Sequence, residues 1–155
     1  MQRRQFLKSA AFIGAGTLIL PRLKLFGADA PSNKLNIALL GTWGRGEAHF
    51  GAISSENVVA LCDVNEEHLA FGARKFPNAK TYVDWRKCLE QKDVNAVFIC
   101  TADHTHAFAA NWAMNRGQHV YCEKPLANSV EEARVVRATY LKNKNKLATQ
   151  CGTQR

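Results

Sequence analysis

Asn-Ile-Ala-Leu-Leu-Gly-Thr-Trp-Gly-Arg-Gly, residues 36–46, decides the fold. An apolar run empties into a glycine-rich turn and a helical pattern, and the next apolar stretch ends in Asp63. A buried strand, a tight turn, a helix start and an acid at the end of a second strand are the parts of a dinucleotide seat. The glycines let backbone N–H groups approach a pyrophosphate, the helix start adds positive dipole, and the carboxylate accepts hydrogen bonds from ribose hydroxyls. Asp63 follows Gly41 by 22 residues, close to the spacing of a ribose-binding acid; its other reading is an N-cap for the next helix. A carboxylate there repels a 2′-phosphate and favours NAD over NADP. One position departs from G-x-G-x-x-G: Trp43 stands at the second glycine.

Outward from this stretch, strand and helix patterns alternate. The near-continuous apolar run 35–40 reads as a strand covered on both faces, and a helix follows over 45–54. Strand 58–62 leads to a helix capped by Asn65 and running to about residue 75. A short strand at Lys80–Tyr82 precedes a helix over 85–91, capped by Asp84. Strand 94–100, a helix over about 104–115 stopped by Gly117, and strand 118–122 come next. Ser129-Val-Glu-Glu132 is a capping box for a long helix with Val130, Ala133, Val136 and Tyr140 on its inner side, and a last strand spans 146–151. Such alternation implies βαβ crossovers and a doubly wound parallel α/β sheet.

The 155 residues suffice for one domain with a real core. The net charge of +8 divides evenly. Residues 1–30 hold Arg3, Arg4, Lys8, Arg22 and Lys24 against Asp29 alone, and the rest carries sixteen basic against twelve acidic residues, with no basic block interleaved with aromatics. That pattern argues against nucleic acid. The start, Arg3-Arg4-Gln-Phe-Leu-Lys8 before an apolar run over 10–20, reads as a twin-arginine-type signal covering 1–30. The run is short for a stable membrane span, and cleavage after Ala28 or retention of the leader are both open. The expected location is the periplasm, or another site reached by twin-arginine export. The five cysteines lack C-x-x-C spacing, so a disulfide framework or zinc site is not expected.

Ligands of such sheets bind beyond the carboxyl ends of the strands. The unusual polar residues fall at those ends: the turn 41–46, Asp63, Thr101-Ala-Asp-His-Thr-His106, and Glu123-Lys124-Pro125. His104 and His106, two apart, do not share a helix face, which argues against a metal pair. With Asp103 as N-cap, His106 points back to the strand ends; its other reading is a helix-start histidine bonded to backbone. Lys124 beside a cofactor can bind a substrate oxygen and help move its proton; alternatively it is a solvated loop charge. The Lys124–Pro125 isomer is open from sequence.

Together these residues resemble the N-terminal domain of the Gfo/Idh/MocA oxidoreductases. The resemblance covers about Lys34 to the end and rests on the glycine turn, Leu-Cys-Asp-Val-Asn at 61–65, Thr-x-Asp-x-x-His at 101–106 and Val-Tyr-Cys-Glu-Lys-Pro-Leu at 120–126. It implies a Rossmann-like dinucleotide domain over 34–155, cut before a second, α+β substrate domain that holds the main acid/base residues. It further implies NAD(P)-dependent hydride transfer at a sugar or cyclitol carbon. By resemblance, Gly41, Gly44, Arg45 and Gly46 line the pyrophosphate, Asp63 the adenosine ribose, and Thr101, Asp103 and His106 the cofactor's inner half. Trp43, the departure from the family pattern among the expected cofactor-binding residues, either tilts the cofactor or turns its indole outward. Glu123 lies near the nicotinamide ribose, and Lys124 touches cofactor and substrate as a catalytic assistant. The expected partners are a carbohydrate substrate, the twin-arginine export machinery and, at full length, further copies of the same chain in a homo-oligomer. An NAD-dependent glycosidase of the same superfamily and a non-catalytic nucleotide-binding fragment are the alternatives. Ala102 replaces a proline usual in the family. Glycine at position 43 should tighten NAD if the indole crowds the pyrophosphate.

Overall fold

The computed structural model describes residues 34–153; the leader expected over 1–30, and Gln154 and Arg155, lie outside the described residues. In chain order the elements are β1 (Asn36–Leu40), α1 (Arg45–Ala48), α2 (Phe50–Ile53), β2 (Asn57–Cys62), α3 (Glu66–Lys75), β3 (Lys80–Tyr82) and α4 (Trp85–Leu89). There follow β4 (Ala96–Ile99), a 3-10 turn (Asp103–Thr105), α5 (His106–Asn115), β5 (His119–Cys122), α6 (Val130–Asn143) and β6 (Thr149–Cys151). All strand pairs are parallel, in the spatial order β3-β2-β1-β4-β5-β6. The order reverses between β1 and β4, which is where a doubly wound sheet opens a ligand crevice.

Strand alternation builds two cores, one on each face. Ile37 and Leu39 of β1 join Leu61, Phe50, Ile53 and Leu69 under α2 and α3. Ala38 and Leu40 join Ala60, Val97, Ile99, Ala110 and Met114 under the helices of the other face. A central strand buried on both sides must be apolar at every position, which is why 35–40 reads as a continuous run. Four cysteines lie inside these layers and Cys151 is half-buried. Burial pushes the Cys100 and Cys122 thiols up to about 12.

Several boundaries differ from the sequence reading. The helix expected over 45–54 is two short turns broken at His49, whose N–H bonds the carbonyl of Gly46 in a tighter turn. The helix expected from residue 104 starts at His106, because Asp103 opens a 3-10 turn and caps nothing; Thr105 is the N-cap and its hydroxyl bonds the carbonyl of Ala102. Asn65, Asp84 and Ser129 do cap α3, α4 and α6 with their side chains. On α6 only Val136 of the expected inner residues is buried; Val130 is 68% exposed. Ala133, Val136 and Tyr140 instead border an apolar groove of about 280 Å³ beside β5 and β6. Periodicity identifies a face, and that face meets a groove.

Candidate functional site

Backbone pairing continues one residue past the strands. The N–H of Gly41 bonds the carbonyl of Cys62 (2.8 Å), that of Cys100 the carbonyl of Leu40 (2.8 Å), and that of Glu123 the carbonyl of Ile99 (2.9 Å). The polar residues at these ends therefore leave a rigid edge.

The glycine turn is steric at its two ends. A Cβ on Gly41 (φ +83°) would lie 2.5 Å from the carbonyl oxygen of Cys100, and one on Gly46 would lie 1.9 Å from that of Gly41. Gly44 is needed for its left-handed backbone (φ +59°) and faces open space. No described non-glycine residue has a positive φ, so the backbone at position 43 accepts a side chain without strain. The Trp43 indole turns out over α3, stacked on His68 (centroids 5.1 Å, 9° between planes) and edge-on to Phe71 (5.0 Å).

Asp63 is bound to that turn. Its Oδ2 accepts the N–H of Thr42 at 2.8 Å and lies 3.2 Å from the Thr42 hydroxyl, while Oδ1 accepts the N–H of Asn65 at 3.0 Å. The buried Thr42 hydroxyl also donates to the carbonyl of His68 at 2.7 Å. The carboxylate, the turn and the start of α3 thus form one unit. Asn65 does the capping of α3, so Asp63 is not its N-cap.

Glu123 is buried, and three side chains meet its Oε1: Arg45 Nε at 2.9 Å, His49 Nε2 at 2.6 Å and the Tyr121 hydroxyl at 3.2 Å. Burial raises the Glu123 carboxyl, but the bonds from His49 and Arg45 outweigh it and hold it below the ordinary carboxylate value. The same bond raises the Arg45 guanidinium. This carboxylate ties β5 to α1 and the start of α2. His49, Tyr121 and Thr42 were not singled out from sequence. The local signal for His49 was its place one helical turn after Arg45, and its partner lies 74 residues away.

His106 is buried, with Nδ1 2.7 Å from the carbonyl oxygen of Pro125 and Nε2 2.9 Å from that of Thr101. It braces the loop after β4 against the loop after β5, through the backbone contact that the sequence held open. The Thr101 hydroxyl bonds that of Thr105 (2.6 Å). Asp103 and Lys124 are exposed, and Lys124–Pro125 is cis. A cleft of about 320 Å³ brings together Trp43, Asp63 and Thr101 with His68 and His104; Asp103, His106, Glu123 and Lys124 are not in its lining. Among the described residues, no His, Cys, Asp and Glu side chains group to hold a metal, and no helix is long and apolar enough to cross a membrane.

These features fit an NAD: an open glycine turn, a carboxylate fixed beside it, and a cleft where the strand order reverses. Residues 35–151 match the family model described as "Oxidoreductase family, NAD-binding Rossmann fold". The chain is 32% identical over 113 residues to levoglucosan dehydrogenase of Pseudarthrobacter phenanthrenivorans, covering 66% of this chain and 29% of the relative. It is 35% identical over 115 residues to glycosyl hydrolase family 109 protein 1 of Bacteroides fragilis, covering 64% and 25%. Among solved structures, an oxidoreductase domain protein from Kribbella flavida superposes with a TM-score of 0.69 at 34% identity, covering 76% of this chain and 34% of that one. The chain thus spans 29% and 25% of the length of these two relatives.

Proposed function

The chain belongs to the Gfo/Idh/MocA oxidoreductase family, and from that premise we propose that it is the nucleotide-binding part of an exported NAD-dependent enzyme acting on a sugar or cyclitol. The observation that carries the reading is the bond from the Thr42 N–H to Asp63, which fixes a ribose acceptor against the glycine turn. Bound NAD supplies the hydride acceptor of the reaction. The chain's own residues bind and orient: Gly41, Gly44 and Gly46 keep the turn open to a pyrophosphate, and Asp63 takes ribose hydroxyls. Thr101 lines the crevice, and Asp103 stands exposed in the same loop after β4. Glu123 acts from beneath, through Arg45 and His49, and His106 holds the loops after β4 and β5 at a fixed separation. Lys124, exposed past the end of β5, holds a proton near a substrate oxygen as catalytic assistant.

Residues 1–30 are the twin-arginine leader in this reading and 34–155 the nucleotide domain, with substrate contacts and the principal acid/base groups in a second domain of the whole protein. The basic pair Arg3-Arg4 before an apolar run supports export to the periplasm, and Arg3→Lys with Arg4→Lys should abolish export of a fused reporter. Calorimetric titration of the 155-residue chain tests the central claim. NAD should bind and NADP more weakly, and no heat at millimolar NAD would overturn the reading in favour of a non-binding fragment. The family 109 relative favours a second reading, an NAD-dependent glycosidase. In the whole enzyme, free monosaccharide without net NADH would establish it, and net NADH would establish the dehydrogenase.

A further inference from the structure

Three of the large apolar side chains left exposed, Trp43 (50%), Val64 (86%) and Val83 (59%), border one cleft, the one that holds Asp63. Exposed apolar groups scattered singly need no explanation, but a cluster at the mouth of a crevice marks a binding surface. Thr101, Ala102, His104 and Thr105, from the loop after β4, also line it, so the cleft straddles the point where the strand order reverses.

The indole is not loose in this wall. One of its faces lies on the His68 imidazole and its edge meets Phe71. His68 is itself fixed: it sits in the first turn of α3, its carbonyl takes the Thr42 hydroxyl, and its Nδ1 lies 3.8 Å from Asp63 Oδ1. A flat, rigid aromatic surface therefore stands beside the carboxylate, at the position where the fingerprint would have a glycine and open space.

We propose that the stacked pair Trp43 and His68 is the wall against which the adenine ring of the cofactor lies, with Asp63 accepting from the ribose that carries that ring. The proposal rests on the NAD reading above and deepens it. A purine nucleoside is the ligand chemistry that fits: a planar ring, apolar on its faces, joined to a ribose whose hydroxyls can donate to the carboxylate lining the same cleft. Aromatic stacking of a base is strong enough to show as a large change in affinity, and an indole already held by a second ring loses little freedom on binding. The departure from G-x-G-x-x-G is then a gain for the adenosine half of the ligand. Trp43→Gly should weaken NAD, the reverse of the effect expected if the indole crowded the pyrophosphate.

The test titrates the 155-residue chain with AMP and with NAD by calorimetry. Trp43→Gly should lower both affinities by the same factor, roughly 5- to 100-fold, and Trp43→Phe should restore most of the loss because a ring returns to the wall. His68→Ala, which removes the backing ring, should give a smaller loss of the same sign for both ligands. Unchanged or tighter AMP binding by Trp43→Gly would overturn the proposal, and so would a failure of phenylalanine to rescue. A loss for NAD with none for AMP would place the indole against the pyrophosphate and equally overturn it. Wild-type chain that binds neither ligand would remove the NAD reading itself, which keeps the two failures distinct.

Discussion

Asp63 and Glu123 each follow a strand of the same sheet, and they are held in opposite ways. Asp63 is fixed by backbone N–H groups, from Thr42 and Asn65, at the wall of an open cleft. Glu123 is fixed by side chains, from Arg45, His49 and Tyr121, beneath the surface. Backbone donors need little desolvation of charge and leave a carboxylate with lone pairs for a ligand. Charged and ring donors packed around one buried oxygen make a structural tie, costly to break from either side. The contrast separates a carboxylate left open to a cleft from one that ties neighbouring elements together.

The largest effect should come from Glu123→Ala. It leaves the buried His49 ring and the Arg45 head without their acceptor and should cost about 3 kcal/mol, read as a fall in the urea midpoint at constant slope. Glu123→Gln keeps an acceptor and should cost about 1 kcal/mol. An alanine variant as stable as the parent would end the distinction between the two carboxylates. Asp63→Asn should cost less stability, about 1–2 kcal/mol, because one amide oxygen cannot serve both N–H groups as the carboxylate does. Its main effect should be on NAD, weakened about tenfold or more by loss of the charged acceptor; unchanged NAD affinity would deny Asp63 its role.

The smallest effect is in acid. The Glu123 carboxyl is held below its ordinary value, so its contribution is present above the unfolded value of about 4.3 and is lost as pH falls through the lower folded value. Urea midpoints taken at successive pH should therefore fall more steeply for the parent than for Glu123→Gln in that window. Parallel acid limbs would show that the tie carries no net charge.

What the sequence displays well is local. Continuous apolar runs mark strands buried on both faces, and the side-chain caps Asn65, Asp84 and Ser129 mark helix starts, because each acts within a turn of itself. Asp63 was legible for the same reason: a strand end, a turn and an acid stand in a fixed order. The tie at Glu123 was not, since its partners Arg45 and His49 lie 78 and 74 residues earlier and nothing near them signals a carboxylate. His106 was read as a strand-end residue with a backbone alternative, and only the fold shows that its two partners are the carbonyls of Thr101 and Pro125. Trp43 looked like a defect because the fingerprint records where glycine is common. Backbone geometry shows that positions 41, 44 and 46 need it.

The interior thiols have a consequence for handling and for chemistry. Burial holds the Cys100 and Cys122 thiols well above their ordinary value, so little of either is ionised at neutral pH, and alkylating agents and peroxide react with the ionised form. Iodoacetamide should therefore label the folded chain slowly at these two sites and quickly once urea opens it. The rate of labelling becomes a clock for opening of the sheet, read from the same layers that carry the carboxyl-end loops.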